Sequence, residues 1–332
     1  MNLCVLRASV VISMLLIISC HHEKSKPPVV TEDKPVVATT PAPAFNADSA
    51  YAFVKAQCDF GPRVPGTKSH AACAEYLAGQ LRQYTPDVHV QSGRVTTYNG
   101  VNLDIKNIIA QFNVSSKKRI LLFAHWDTRP WADRDSARQD EPILGADDGG
   151  SGVGVLLEMA RVLSRQSPSI GIDIAFFDAE DYGTKPGEEG HDNSYGLGTQ
   201  YWCRNPLPQG YKADYGILLD MVGARNAQFG LEGNSKKYAP GVLTNVWNAA
   251  GRIGYGSYFI NLEGPTFTDD HVYVNELAGI PSIDIIHMSM VTANGFPPHW
   301  HTHRDNMDVI DRNTLKAVGQ TLLEVIFVSP AL

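Results

Sequence analysis

Ile172-Asp173-Ile174-Ala175-Phe176-Phe177-Asp178-Ala179-Glu180-Asp181 is a mostly apolar run that ends in acids. Such a short run reads as a strand buried on both faces, as in the middle of a parallel sheet. Other runs end in the same way. Ile120-Leu121-Leu122-Phe123-Ala124 leads into His125-Trp126-Asp127, and Ile217-Leu218-Leu219 leads into Asp220. Gly145-Ala146-Asp147-Asp148-Gly149-Gly150 lies between the first two and opens a helix. Near the end stands Trp300-His301-Thr302-His303. Ligands of open α/β sheets bind beyond the carboxyl ends of the strands. Carboxylates and imidazoles are the side chains that hold zinc at catalytic sites. The pattern therefore predicts a zinc enzyme.

Glu180-Asp181 is the sharpest local signal. Two adjacent acids at the end of a buried strand repel each other and are poorly solvated. A cation relieves both costs, and one acid can bind it while its neighbour stays free as a base. A solvated acidic turn is the plainer reading, and the apolar strand before the pair argues against it. Asp147-Asp148 also has a plain reading, since Asp before a helix is commonly an N-cap. The small residues from Gly145 to Gly152 let the backbone approach a ligand closely. His299, His301 and His303 compete for one imidazole role.

The rest of the chain alternates helix and strand. Helices are expected over residues 49–57, 69–84, 195–202, 236–251, 270–278 and 313–328, and from about Gly150, where Val153, Leu156, Leu157, Ala160 and Leu163 form an apolar stripe. Strands are expected over 88–95, 105–114, 119–124, 172–177, 215–221 and 280–286. The fold class is α/β: one domain with a central mixed, mostly parallel sheet flanked by helices. Two long polar loops, 128–143 and 182–193, directly follow site strands, and loops of that length in a domain are usually functional.

The N-terminus has a different character. Arg7 precedes an apolar run over 8–18, too short for a comfortable membrane span and typical of a secretory signal. Ile17-Ile18-Ser19-Cys20 resembles the lipobox of bacterial lipoproteins, which implies a signal peptide over 1–19 and a lipidated Cys20. Residues 20–45 are Pro-rich and poor in large apolar side chains, as expected of a flexible tether. The catalytic domain is expected over 46–332. This predicts a bacterial cell-envelope protein, lipid-anchored in the periplasm; His21 stands where Asp commonly retains lipoproteins at the inner membrane, so the outer membrane is expected. The net charge of -7 and the lack of a basic stripe exclude a nucleic-acid partner. In that oxidising compartment Cys58, Cys73 and Cys203 leave room for one disulfide.

The ordered set His125-Trp126-Asp127, Gly145-Ala146-Asp147-Asp148, Phe176 to Asp181, Leu218-Leu219-Asp220 and Trp300-His301 resembles peptidase family M28, the zinc aminopeptidase superfamily. More narrowly it resembles the glutaminyl-peptide cyclotransferases, or glutaminyl cyclases. Arg63-Val64-Pro65-Gly66-Thr67, Leu219-Asp220-Met221-Val222-Gly223-Ala224, Asp269-Asp270-His271 and Trp300-His301-Thr302 with Asp305-Asn306 point that way. The resemblance implies one zinc per chain, held by Asp148, Asp181 and His301. Asp181 stands where most of the family has Glu. It also implies Glu180 as general acid/base, Asp220 and Asp269 as proton-sharing acids beside it, and Trp300 as an aromatic wall, with Phe296 suited to excluding water. The implied substrates are peptides or proteins with N-terminal Gln. Two departures stand out. Asp284 replaces a His of animal cyclases, and the loop after Glu180 lacks their Trp.

Two other functions fit parts of the pattern. A two-zinc aminopeptidase would hold a second ion with His125 and Asp220. A non-catalytic surface lipoprotein would leave the acids vestigial.

Overall fold

Apolar runs become buried strands where the sequence has them. The structure, a computed structural model, describes residues 41–188 and 193–328. In chain order its elements are α1 (Ala47–Cys58), α2 (Lys68–Arg82), β1 (Val88–Thr96), β2 (Asn102–Phe112), β3 (Arg119–His125) and α3 (Gly150–Leu163). Then come β4 (Gly171–Phe177), α4 (Leu197–Arg204), β5 (Tyr215–Asp220), β6 (Phe229–Leu231), α5 (Gly233–Tyr238) and α6 (Pro240–Arg252). The chain closes with β7 (Phe259–Glu263), α7 (Asp270–Ala278), β8 (Ser282–Ile286) and α8 (Arg312–Phe327).

The six-stranded sheet has the order β1-β2-β4-β3-β5-β8. Strands β4, β3, β5 and β8 run parallel, and β1 and β2 add an antiparallel edge. Every residue of the four parallel strands is buried. Their side chains alternate between two cores. Ile120, Leu122 and Ala124 face the larger one, with α1, α2, α3, α6 and α8. Leu121 and Phe123 face the smaller one, with α4 and α7. Helices thus cover both faces, as the sequence predicts for a mixed sheet.

The differences have local causes. The helix expected over 236–251 breaks into α5 and α6 at Ala239-Pro240, with Pro240 in the first turn of α6. Proline has no N–H for the preceding turn and disfavours helix in the residue before it. Strand β8 starts after Pro281 rather than at Ile280. The short parallel pair β6 and β7 was not foreseen, being only three and five residues long. Cys58, Cys73 and Cys203 are all buried free thiols, so the disulfide left open by the sequence is absent. Burial pushes these thiols up to about 11, 12 and 12.

The expected signal peptide, Cys20 and most of the tether lie outside the described residues. Phe45, at the end of that tether, is buried, and its backbone N–H donates to Gln320 of α8 at 3.0 Å. No helix among the described residues is long and apolar enough to cross a membrane.

Candidate active site and metal centre

Three strand ends and two loops supply the site. His125 closes β3, Glu180 and Asp181 follow β4, and Asp220 closes β5; Asp148 precedes α3 and His301 lies between β8 and α8. Ala179, Met221 and His301 have φ of 52°, 47° and 54°. Left-handed backbone outside glycine is uncommon and stores strain that surrounding structure must hold. Here it occurs at or beside three site residues. Gly149 has φ of 80°, and a Cβ there would lie 2.7 Å from the His125 ring. A Cβ on Gly152 would lie 2.2 Å from the Leu219 carbonyl oxygen, so α3 reaches β5 only because that side chain is missing.

Asp148, Asp181 and His301 each bring a ligand atom within 4.8 Å of the others. His301 Nε2 is 3.2 Å from Asp181 Oδ1 and 3.7 Å from Asp148 Oδ2. Donors ~2.0–2.1 Å from a tetrahedral ion lie about 3.3 Å apart, so these residues fit zinc. Asp181 Oδ2 is buried and has no hydrogen-bond partner. The shorter arm of Asp181 therefore still reaches the centre.

Each of these residues is held from behind. Asp133 Oδ1 lies 3.1 Å from His301 Nδ1, which leaves Nε2 for the metal. Arg129 bonds Asp133 and lies 3.4 Å from Asp181 Oδ1. Asp127 accepts the backbone N–H groups of Glu180 and Asp181 at 3.0 and 3.2 Å. Asp305 accepts those of Asp147 and Asp148 at 2.7 and 3.0 Å. The loop over 128–143 thus fastens the His301 segment, and none of its residues lines the cavity that opens over the site. Asp135 adds to this by accepting the His303 N–H at 2.9 Å.

His125 sits differently. Its Nε2 is 3.0 Å from Asp148 and 3.4 Å from Asp220, and its Nδ1 is 3.5 Å from Asp127. Burial lowers its basicity, but these three nearby acids outweigh that and raise it well above the usual histidine value. His125, Asp148 and Asp220 also satisfy the spacing of a metal group.

Beside this lies a cluster of buried acids. Burial raises Glu180 well above the usual carboxylate range; His125 opposes the shift and Asp269, Asp181 and Asp270 add to it. Burial also raises Asp220 and Asp269, and it pushes Asp270 up to about 8. Asp284 is fully buried, and both its oxygens lack hydrogen-bond partners. An imidazole does stand near it. His271 Nδ1 is 3.8 Å from Asp284, and His271 Nε2 is 3.2 Å from Glu232. That imidazole comes from α7, the helix just before β8.

A cavity of about 360 Å³ opens over the site. Asp148, Glu180, Asp181, Asp220, Asp269 and His301 form its polar side, and Phe267, Ile286, Phe296 and Trp300 its apolar side. The aromatic wall is a stack. Phe267 and Phe296 centroids are 4.4 Å apart, Phe296 and Trp300 4.1 Å, and Trp300 and His301 3.7 Å. Every expected site residue except His125 lines this cavity.

Fold and site together define a metal-dependent enzyme of the peptidase class: residues 107–326 match peptidase family M28, and the chain belongs to that family. Among solved structures, Bacteroides thetaiotaomicron glutaminyl cyclase bound to N-acetylhistamine is 56% identical, covering 86% of this chain and 99% of that one with a TM-score of 0.84. Another structure from that organism, described as a leucine aminopeptidase precursor, is 55% identical, covering 87% and 99% with a TM-score of 0.83. A glutaminyl-peptide cyclotransferase of Drosophila melanogaster is 27% identical over 277 residues, 76% of this chain and 73% of that one.

Sequence reasoning gave no role to Asp127, Arg129 or Asp133. Their position in or just before a long loop after a site strand was the available signal. Their partners lie far along the chain, as with Asp133 and His301, 168 residues apart.

Proposed function

We propose that this enzyme is a glutaminyl-peptide cyclotransferase that closes the N-terminal glutamine of a peptide or protein to pyroglutamate and releases ammonia. The observation that carries this reading is the cavity. It joins one complete metal triad to a free carboxylate, Glu180, against an aromatic wall suited to excluding water. When bound, a zinc ion at Asp148, Asp181 and His301 supplies Lewis-acid polarisation of the side-chain carboxamide.

The protein residues then do the rest. Glu180 takes a proton from the substrate α-amine, whose nitrogen attacks the carboxamide carbon of its own side chain. Its raised proton affinity brings it nearer that of a peptide α-amine, about 7.7–8.0. Glu180 returns the proton to the departing nitrogen as the old carbon–nitrogen bond breaks. The attack is intramolecular, so holding the right rotamer against Trp300 and Phe296 supplies much of the acceleration. Water is not consumed, and its exclusion favours closure over hydrolysis. Asp220 and Asp269 line the same wall and share protons with Glu180.

We further propose one zinc in the active cavity of each chain. His125 is enclosed by acids behind the cavity wall. The rival reading, a two-zinc aminopeptidase, draws on the spacing of His125, Asp148 and Asp220. One experiment separates them. The zinc ions in the cavity are counted by anomalous scattering from crystals, and ammonia release from a Gln-initiated peptide is assayed beside hydrolysis of aminoacyl amides. One cavity zinc with ammonia release is expected; two cavity zincs with hydrolysis and no pyroglutamate would sink the reading.

We also propose that the chain is anchored in the bacterial envelope through lipid on Cys20, facing the periplasm from the outer membrane. The support is the apolar run over 8–18, the lipobox-like Ile17 to Cys20 and the Pro-rich stretch after it. Metabolic labelling with radioactive palmitate is expected to mark the wild type and not Cys20→Ser.

A further inference from the structure

A further group of metal-ligand residues lies outside the active cavity. Asp147, His287 and His299 each offer a ligand atom, and these atoms lie within 4.8 Å of one another. All three residues are buried. They come from separate segments: the turn before α3, the chain just past β8, and the loop that carries His301. Asp147 Oδ2 is 2.8 Å from His299 Nε2. Asp147 Oδ1 accepts the Gly223 N–H at 2.8 Å, which fixes the carboxylate. The His287 and His299 ring centroids are 6.0 Å apart. One ion ~2.0–2.1 Å from a nitrogen of each ring tolerates that separation.

An ion pair of Asp147 with His299 accounts for only two of the three residues. His287 Nδ1 is buried and has no hydrogen-bond partner. A buried polar atom in that state is uncommon and calls for an unseen partner. His287 and His299 also line a cleft of about 360 Å³ that gives access from outside. Asp308 lines it too, and Arg225, the cation of this cleft, has Asp311 at 3.7 Å.

We propose that Asp147, His287 and His299 form a structural site for a divalent transition ion such as zinc, with water from the cleft as the fourth ligand. Two imidazoles and one carboxylate suit zinc and its neighbours, whereas calcium and magnesium take oxygen sets. The ion would staple the turn before α3 to the His301 loop. Asp147 is next to Asp148, and His299 is two residues from His301. The staple would therefore set the spacing of two active-site ligands without touching substrate.

The full-length chain is stripped with chelator, reloaded with Zn²⁺, freed of excess and analysed for zinc per chain. His287→Ala is expected to hold one zinc fewer than wild type while keeping the cavity ion. Equal counts would overturn the site. His125→Ala, which alters the triad of His125, Asp148 and Asp220, is expected to leave the ion at Asp147, His287 and His299 in place. Should His287→Ala fold poorly, His287→Asn gives the same comparison. A test without variants is available in crystals of the wild type soaked in Co²⁺. An anomalous peak is expected among the three side chains, and a peak only in the active cavity would refute the proposal.

Discussion

Asp148 belongs to two buried triads, one with Asp181 and His301 and one with His125 and Asp220. The donor spacings are nearly the same: 3.2 and 3.7 Å around His301 Nε2, and 3.0 and 3.4 Å around His125 Nε2. What differs is the back of each imidazole and the space in front of it. Asp133 and Arg129 hold His301 from behind, and its front meets the cavity. His125 has an acid on every side and lies behind the cavity wall. Spacing alone does not separate a metal centre from a proton-sharing cluster. The one-zinc proposal for the cavity rests instead on support from behind and access from the front.

The comparison can be broken by mutation. The largest effect is expected from His301→Ala, which should lose both the cavity zinc and cyclisation. His125→Ala should keep its zinc and lose less activity, about 10–100-fold, as for a residue acting behind a metal ligand. If His125→Ala emptied the site as fully as His301→Ala, the two triads would be one centre. Glu180→Gln should lower kcat by about 10²–10⁴-fold with zinc content unchanged. Loss of zinc in that variant would mean that Glu180 is a ligand rather than a base.

Asp133→Asn should weaken zinc affinity by about 10–100-fold, with activity restored by added zinc. Equilibrium titration against a chelator reads this directly. The smallest effect is a displacement on the pH axis. Glu180 must be ionised to accept the proton, so kcat/KM should fall as pH drops through its raised value. Asp269 adds to that rise. Asp269→Asn removes the like charge, lowers the Glu180 value and should move the acid limb to lower pH. A limb that stays in place or moves upward would show that another group controls it.

Much of this arrangement was legible because it is local in sequence. Buried parallel strands have to be apolar along their length, so β3, β4 and β5 were visible as runs, and their ends marked His125, Glu180-Asp181 and Asp220. The wall residue Trp300 is legible through the resemblance to the cyclases, and Phe296 as its apolar neighbour in sequence. What stayed hidden is carried by hydrogen bonds between distant segments. Asp305 orders the backbone of Asp147 and Asp148 from more than 150 residues away. No periodicity or spacing records such a bond. The helix break at Pro240 is a different kind of miss, since the proline that causes it is visible in the sequence.

The stack of Trp300 on His301 has an optical consequence. The two ring centroids are 3.7 Å apart and the planes differ by 25°. An indole so close to the imidazole proposed as a metal ligand would be a built-in emission reporter for that site. Cobalt in place of zinc should darken it, and the signal missing from Trp300→Phe isolates it from the chain's other four tryptophans. Filling of the active cavity could then be followed by light, without substrate and without turnover.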